Sequence, residues 1–316
     1  MQSWLSNPEF QRQLWLELTR HRLIVAPLIL LVVFGTRFDD GGLLASLNVM
    51  AGIALAIFVI ITILWGASLA YTSLSDEIRQ NTWDWQRVSA MPPWDMVWGK
   101  IIGSTAFAWY IGLPCLAVIA LSPEHNVLWL KQSSSGFTVL LLIFSALAAQ
   151  GFGLLSALVA HQCGILQKKA SGFIFVFILI GWNLIAIKPS VGSAVGWFGF
   201  SLSWQAFILL SVMLFSVWIW LGCYRMMQGT LMIKTKPWAA IAFIVFLSVY
   251  LSGKHMPWDF EPGHLNAIAM YGIVIGMVMT YLGAWLERIN RTAIKRLYFA
   301  IRQNNTNKAL QETPYF

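Results

Sequence analysis

Long apolar runs separated by short polar segments dominate the chain from residue 23 to residue 286. A helix that spans a bilayer needs about 20 mostly apolar residues, within a range of about 17 to 25. The predicted spans are Leu23–Phe38, Leu43–Thr72, Ile101–Leu121, Phe137–Ala160, Gly172–Ile187, Trp204–Cys223, Trp238–Leu251 and Ala267–Leu286. The first, fifth and seventh are short, so six full spans plus re-entrant segments is the alternative to eight. The pattern predicts an all-α polytopic membrane protein.

Composition supports this class. Of the 316 residues, 58% are hydrophobic and 11% are charged, whereas a soluble domain carries about 25% charge. The net charge of +8 does not call for a nucleic-acid partner, because the excess of Lys and Arg in cytoplasmic loops makes membrane proteins basic.

The distribution of Lys and Arg predicts the orientation. With the N-terminus inside, 17 of the 21 Lys and Arg fall in inner segments, and the outer loops hold four, which are Arg37, Lys131, Lys188 and Lys254. An odd number of spans would spoil this bias. The prediction is a bacterial inner membrane protein with both termini in the cytoplasm, in which residues 23–286 form the transmembrane domain and residues 287–316 a basic tail.

Residues 1–22 predict a helix that precedes the first span. Asn7 can cap its amides, Pro8 needs no donor in the first turn, and Glu9 meets the positive helix end. One side of the helix is apolar, formed by Phe10, Leu14, Trp15 and Leu18. This pattern is typical of an amphipathic helix in the membrane interface, which binds headgroup-level lipid.

The segment 75–100 is the long, strongly charged stretch in the interior of the sequence. Asn81 or Thr82 can cap a short helix that has Asp84 in its first turn. Pro92 ends that helix, and Pro93 can open the next one. The segment therefore predicts a helix, a break and a second helix on the cytoplasmic side.

The short helix in this segment has two open interpretations. Trp83, Trp85, Val88 and Met91 give it an apolar surface, beside polar groups such as Arg87. A short amphipathic helix of this kind can fit a groove on a soluble partner. It can equally lie in the interface and contact only lipid headgroups.

The run from Glu77 to Trp83, followed by a proline and by Gly99-Lys100 at the next span, resembles the first cytoplasmic loop of ABC-2-type transporter permeases. Asn7-Pro8 at the head of an amphipathic helix is similar to that family's connecting helix. The resemblance covers about the first third of the chain. The chain departs from the family at Asn81, where the family usually has Gly, in a slightly longer interval to Pro92, and in eight rather than six spans.

This resemblance implies the permease subunit of a type V ABC exporter. The partners that it implies are a separate ABC ATPase subunit, a second copy or a related permease, and membrane lipids. Carried over to this sequence, the residues that couple to the ATPase are Glu77, Arg79, Asn81, Thr82, Trp83, Trp85, Val88, Pro92 and Pro93.

Motifs for catalysis or cofactor binding are not evident in the sequence. The phosphate-loop pattern G-x-x-x-x-G-K-[ST] does not occur, so a separate subunit is expected to bind ATP. The three cysteines are isolated and the five histidines show no metal-ligand spacing. We therefore expect no cofactor, no metal and no catalytic residue in this chain.

The spans offer polar residues but no deep charges. A charged side chain in the hydrocarbon costs about 2.5–3.5 kcal/mol or more, so the charges that proteins retain there usually have a function. The absence of such a charge from the predicted spans argues against an ion-driven carrier. Gln150 and Asn183 are candidates to line a pathway, although such residues more often join helices by hydrogen bonds. A membrane enzyme acting on lipid and a non-transporting anchor for an ATPase remain the alternative functions.

Overall fold

The computed structural model describes residues 7–36, 43–89, 91–122, 134–162, 194–233, 238–253 and 269–277, together with residues 298 and 302. The helices are α1 (Pro8–Glu17), α2 (Arg20–Gly35), α3 (Leu43–Ile57), α4 (Gly66–Arg79), α5 (Trp83–Val88), α6 (Pro93–Ser104), α7 (Ala106–Leu121), α8 (Ser135–Gln162), α9 (Trp204–Thr230) and α10 (Trp238–Ser252). Residues 269–277 are also helical. The predicted span Gly172–Ile187, most of Ala267–Leu286 and almost all of the tail 287–316 lie outside the described residues.

The described residues confirm an almost entirely helical, multi-pass membrane fold, as the sequence predicted. Three helices in these ranges are long and apolar enough to cross a bilayer, namely Leu47–Arg79, Ser135–Gln162 and Trp204–Thr230. Two bent helix pairs raise the number to five if each pair is one crossing. The first of the long helices has 33 residues, or about 50 Å at 1.5 Å per residue. It therefore extends beyond the roughly 30 Å hydrocarbon layer.

A π-helical segment, Phe58–Trp65, joins α3 to α4 within this long helix. Such segments are rare, and they occur often at functional sites. The hydroxyl of Thr62 in the segment donates to the carbonyl oxygen of Ala108 on α7, at 3.2 Å. The π segment thus lies against α7 in the interior of the molecule.

Two helix pairs are sharply bent. α1 and α2 meet at 63°, and α6 and α7 meet at 59°. At the second bend, the hydroxyls of Ser104 and Thr105 donate to the carbonyl oxygens of Lys100 and Ile101, at 2.6 and 2.8 Å. Back-bonding of this kind bends helices. The predicted third span, Ile101–Leu121, is consequently not one straight helix but the end of α6 followed by α7.

Two apolar cores hold the helices together. The first contains Phe58 of the π segment, Ile111 of α7 and Leu142 of α8. The second contains Leu74 of α4 and Ile101 of α6, together with residues of α5, α8 and α9. Because α8 contributes to both cores, it is the central helix of the described fold. In the described helices α9 and α10, large apolar side chains face outward, as a lipid solvent requires.

A two-stranded antiparallel hairpin precedes α9. It consists of β1 (Ala194–Trp197) and β2 (Phe200–Ser203). The turn residues Phe198 and Gly199 have φ of 50° and 77°, which two-residue hairpin turns need. The indole N–H of Trp197 donates to the carbonyl oxygen of Tyr250 at the end of α10, at 3.2 Å. The sequence did not predict this hairpin, which caps α10.

Candidate functional site

The turn between α4 and α5 is closed by backbone bonds. The amide of Asn81 donates to the carbonyl oxygen of Ile78 at 3.2 Å, and the amide of Thr82 donates to that of Glu77 at 2.9 Å. This pair of bonds defines a Schellman motif, which needs a left-handed residue after the helix. Asn81 supplies it with φ of 57°. Asn is among the few residues besides Gly that tolerate this conformation, which explains the departure from Gly at this position.

α5 presents one of its two aromatic residues outward and the other inward. Trp85 and Val88 are 83% and 84% exposed, whereas Trp83 is 2% exposed. Trp83 lies in the second core beside Leu74 of α4 and Met96 of α6. The expectation that Trp83 fills a partner's groove is therefore wrong for this conformation, because the helix face that carries Trp83 packs on α4 and α6.

The other predicted coupling residues surround α5. Arg79, Asn81, Thr82 and Pro92 are exposed, and Glu77 is buried. Thr82 was a predicted cap, but its hydroxyl donates back to the carbonyl oxygen of Glu77, at 3.2 Å, rather than to the start of α5.

Pro93 opens α6 as the sequence predicted, whereas α5 ends at Val88, before it reaches Pro92. Pro93 is the first residue of α6, Pro92 precedes it in an extended conformation, and Asp95 lies in the first turn. This geometry confirms the predicted order of helix, break and helix. The angle between α5 and α6 is thus set at residues whose backbone rotation is restricted.

A cluster of four charges, three of them buried, lies beside α5. The Lys100 ammonium on α6 lies 3.0 Å from the Glu9 carboxylate on α1 and 2.5 Å from the Glu77 carboxylate on α4. Arg12 on α1 pairs with both carboxylates, at 2.8 Å to Glu9 and in direct contact with Glu77. Lys100 is 0% exposed, and the two acids balance the two bases. The cluster thus joins α1, α4 and α6 without a net charge.

The charge cluster keeps Glu9 ionised. Burial by itself would raise the pKa of Glu9, but the hydrogen bond from Arg12 and the charge of Lys100 outweigh burial and lower the pKa to about 2. A carboxylate held in this way contributes to stability at neutral pH, because the unfolded chain binds its proton more readily.

α1 docks closely along α6 at two glycines. An added Cβ on Gly99 would lie 2.9 Å from the amide nitrogen of Phe10, and one on Gly103 would lie 2.6 Å from the Cβ of Gln13. Asn7 caps α1 as predicted, since its side-chain oxygen accepts from the amides of Glu9 and Phe10. Its side-chain nitrogen also donates to the Asp95 carbonyl oxygen of α6, at 2.7 Å.

The buried face of α1 is therefore polar. Glu9 and Gln13 face α6, while Trp15 and Leu16 point outward. The sequence had identified the apolar side of α1 but not the docking of its polar side. The spacing of Gly99 and Gly103 by four residues, which permits close helix approach, was the available signal.

Of the predicted pathway residues, Gln150 is described and Asn183 lies outside the described residues. The carbonyl oxygen of Gln150 accepts from the Trp109 indole at 3.0 Å and lies 3.2 Å from the Thr105 hydroxyl, whose one hydrogen it shares with the Ile101 carbonyl oxygen. Its amide nitrogen donates to the carbonyl oxygen of Thr62, at 3.1 Å. This geometry favours the helix-joining interpretation of Gln150. In the described part of the chain, no three His, Cys, Asp or Glu side chains are placed to hold a metal.

Comparison with known proteins agrees with this architecture. Residues 11–188 match the ABC-2 type transporter family. This match includes α1 from residue 11 onward, α5, α8 up to Gln162 and the charge cluster except for Glu9. No curated protein and no solved structure matches the chain. Since the family match covers more than half of the 316 residues, the chain belongs to the ABC-2 type transporter family.

Proposed function

We propose that this chain is the permease subunit of an ATP-driven exporter in a bacterial inner membrane, with both termini in the cytoplasm. It forms the membrane pathway with a second copy or a related permease. Separate ATPase chains bind ATP and act on the permease through α5. Membership of the ABC-2 family supports the permease role. The exposed face of α5 supports the position of the ATPase contact.

The observation that carries the proposal is a short, anchored helix with two exposed apolar side chains. Trp85 and Val88 project from α5, and Asp84 lies beside them. Trp83 fixes the opposite face in the second core, and the charge cluster fixes the neighbouring ends of α4 and α6. An aromatic anchor on a rigid support is a common source of interface binding energy. α5 is thus suited to receive a force from a partner.

Affinity purification of the tagged chain from its native host in mild detergent tests the proposal. The wild-type chain should recover a protein with a phosphate loop. Trp85→Ala should weaken its binding by about 30-fold, which corresponds to the roughly 2 kcal/mol of an aromatic hot spot. The matched control is Phe200→Ala, an exposed aromatic side chain on the hairpin at the opposite end of α9 from the contact with α6.

Recovery of no such ATPase by the wild-type chain would contradict the proposal, and equal loss in Trp85→Ala and Phe200→Ala would remove α5 as the contact. Transport measured beside binding separates a permease from an anchor. An anchor binds the ATPase but moves no substrate.

A further inference from the structure

The two bent helix pairs contact each other on both sides of their bends. Asn7 contacts Asp95, and Gln13 lies against Gly103, so α1 and α6 run parallel. Beyond the bends, the start of α2 lies against the start of α7. The Tyr110 hydroxyl of α7 donates to the Leu23 carbonyl oxygen of α2 at 3.0 Å. α1 is thus packed along α6, whereas α2 meets α7 through side chains near its first residues.

The bends in these pairs match. One bend lies at Leu18–Thr19 and measures 63°, and the other lies at Thr105 and measures 59°. Contacts on both sides of the bends, from Gln13 to Gly103 and from Leu23 to Tyr110, place the two breaks close to each other. Two neighbouring breaks act together as a hinge where the packed segment on one side of them moves as a unit.

Gln150 holds one of the two breaks from outside. It lies on α8, which is part of both cores, and its side chain is 0% exposed. Its carbonyl oxygen lies 3.2 Å from the shared Thr105 hydroxyl at the break and accepts from Trp109 one turn later. Its amide nitrogen reaches the Thr62 carbonyl oxygen of the π segment. One amide thus bonds the break, the helix after it and the irregular segment of the neighbouring helix.

Room for this amide is provided by Gly66 at the start of α4. An added Cβ there would lie 2.9 Å from the Gln150 side-chain nitrogen. The site is therefore fitted to a side chain of this length and polarity. A leucine of similar size would fill the space but would leave the Trp109 N–H and the Thr62 carbonyl oxygen without this partner, which is costly in a buried position.

We propose that α1 and α6 form a two-helix lever that turns about these paired breaks, and that Gln150 is the positioning residue that sets its angle. The lever carries Lys100, which is bonded to Glu77 at the end of α4, next to α5. A displacement of α5 is thereby passed to the lever and acts at the bend held by Gln150. This inference rests on the proposed function for the force on α5, but the hinge itself requires no partner.

Spin-label distances in the purified chain in lipid nanodiscs test the hinge. One label replaces Leu16 on the lever and the other Leu121 at the end of α7, and both positions are exposed. The three native cysteines are replaced by Ala, and excess unlabelled chain removes distances between copies. Leu16 lies near the bend and Leu121 at the far end of α7, so the two labels are separated by roughly 25 Å at 1.5 Å per residue. This distance lies within the measurable range.

Gln150→Leu should broaden the distance distribution and shift its maximum, and Thr105→Val should do so to a smaller extent. Thr105→Ser, which keeps the hydroxyl, should restore the wild-type distribution. The matched control is Ser156→Ala, because Ser156 is also buried on α8 but its hydroxyl bonds only within that helix, to Phe152. A general loss of stability would not be reversed by the conservative change at Thr105.

Wild-type distributions in both Gln150→Leu and Thr105→Val would overturn the inference, as would equal broadening in Ser156→Ala. If Gln150→Leu does not fold, the comparison of Thr105→Val with Thr105→Ser decides. The distances are measured without an ATPase, so failure to recover one would contradict the proposed function and leave the hinge result valid. Conversely, ATPase binding by the wild-type chain, together with wild-type label distances in Gln150→Leu and Thr105→Val, would retain the proposed function and remove the hinge.

Discussion

Removing the positive charge of Lys100 should release α1 from α6. Lys100→Met keeps most of the side-chain volume but leaves Glu9 and Glu77 with Arg12 as the remaining cation of the cluster. The distances of 3.0 and 2.5 Å to the two carboxylates correspond to attractions of about 5–7 kcal/mol each at an effective dielectric constant of about 20. Desolvation of the ions offsets much of this attraction.

The net cost of breaking a buried pair by removing one partner is about 3–5 kcal/mol, because a buried charge is left uncompensated. The double variant Lys100→Met/Glu77→Gln removes one charge of each sign and returns the cluster to neutrality. It should therefore be more stable than Lys100→Met alone, by about 1–3 kcal/mol, the usual size of coupling between residues in contact.

Hydrogen exchange of the α1 amides measures this effect. α1 has 10 residues, and isolated helices of that length are marginal in water, so its protection reports docking on α6. Lys100→Met should accelerate exchange by roughly 10²-fold to a few thousand-fold, following 1.4 kcal/mol for each tenfold change. The matched control is Arg87→Met, which breaks the ion pair with the exposed Asp84 and should cost no more than about 1 kcal/mol.

Two results would refute this reasoning. One is exchange of α1 in Lys100→Met at the rate of the Arg87→Met control. The other is a double variant that exchanges no more slowly than Lys100→Met, because charge balance would then not be the source of the stability.

Three further predictions concern the same region. Because the pKa of Glu9 falls from 4.5 to about 2, its stabilising effect of about 3 kcal/mol should be constant above about pH 5. The effect should be lost as the pH falls toward 2. It is measured as the protection of the α1 amides at a series of pH values, and protection that weakens only above pH 7 would contradict the prediction. Gly103→Ala should weaken the docking of α1 by about 1–3 kcal/mol through overpacking, as measured by hydrogen exchange of the α1 amides. The control Gly35→Ala should not weaken it, because a Cβ there would meet nothing within 4 Å. Asn81→Gly should leave hydrogen exchange in the α4–α5 turn unchanged. Asn81→Val should accelerate it, because the left-handed φ costs this residue about 1–2 kcal/mol. Equal exchange rates in the two variants would argue against this strain.

The sequence by itself determined the class of fold and the order of the local elements. The length of an apolar run depends on whether lipid or water surrounds the helix. The apolar runs and the composition were therefore sufficient to predict the membrane class. The caps at Asn7 and the start of α6 at Pro93 depend on bonds within a few residues, and both were predicted correctly. The resemblance in the loop from Glu77 to Trp83 pointed to the family that the match over residues 11–188 shows.

Contacts between distant residues were decided only by the tertiary structure. Glu9, Glu77 and Lys100 are separated by 23 residues or more, and no spacing rule predicts that they meet. Trp83 and Trp85 are equivalent in composition, but packing on α4 and α6 buries one and leaves the other exposed. The inward face of a short helix, the pairing of buried charges and the proximity of the two bends depend on which helices are neighbours. That choice belongs to the packing of the whole chain, because the free energy of a buried charge or ring depends on the groups that surround it.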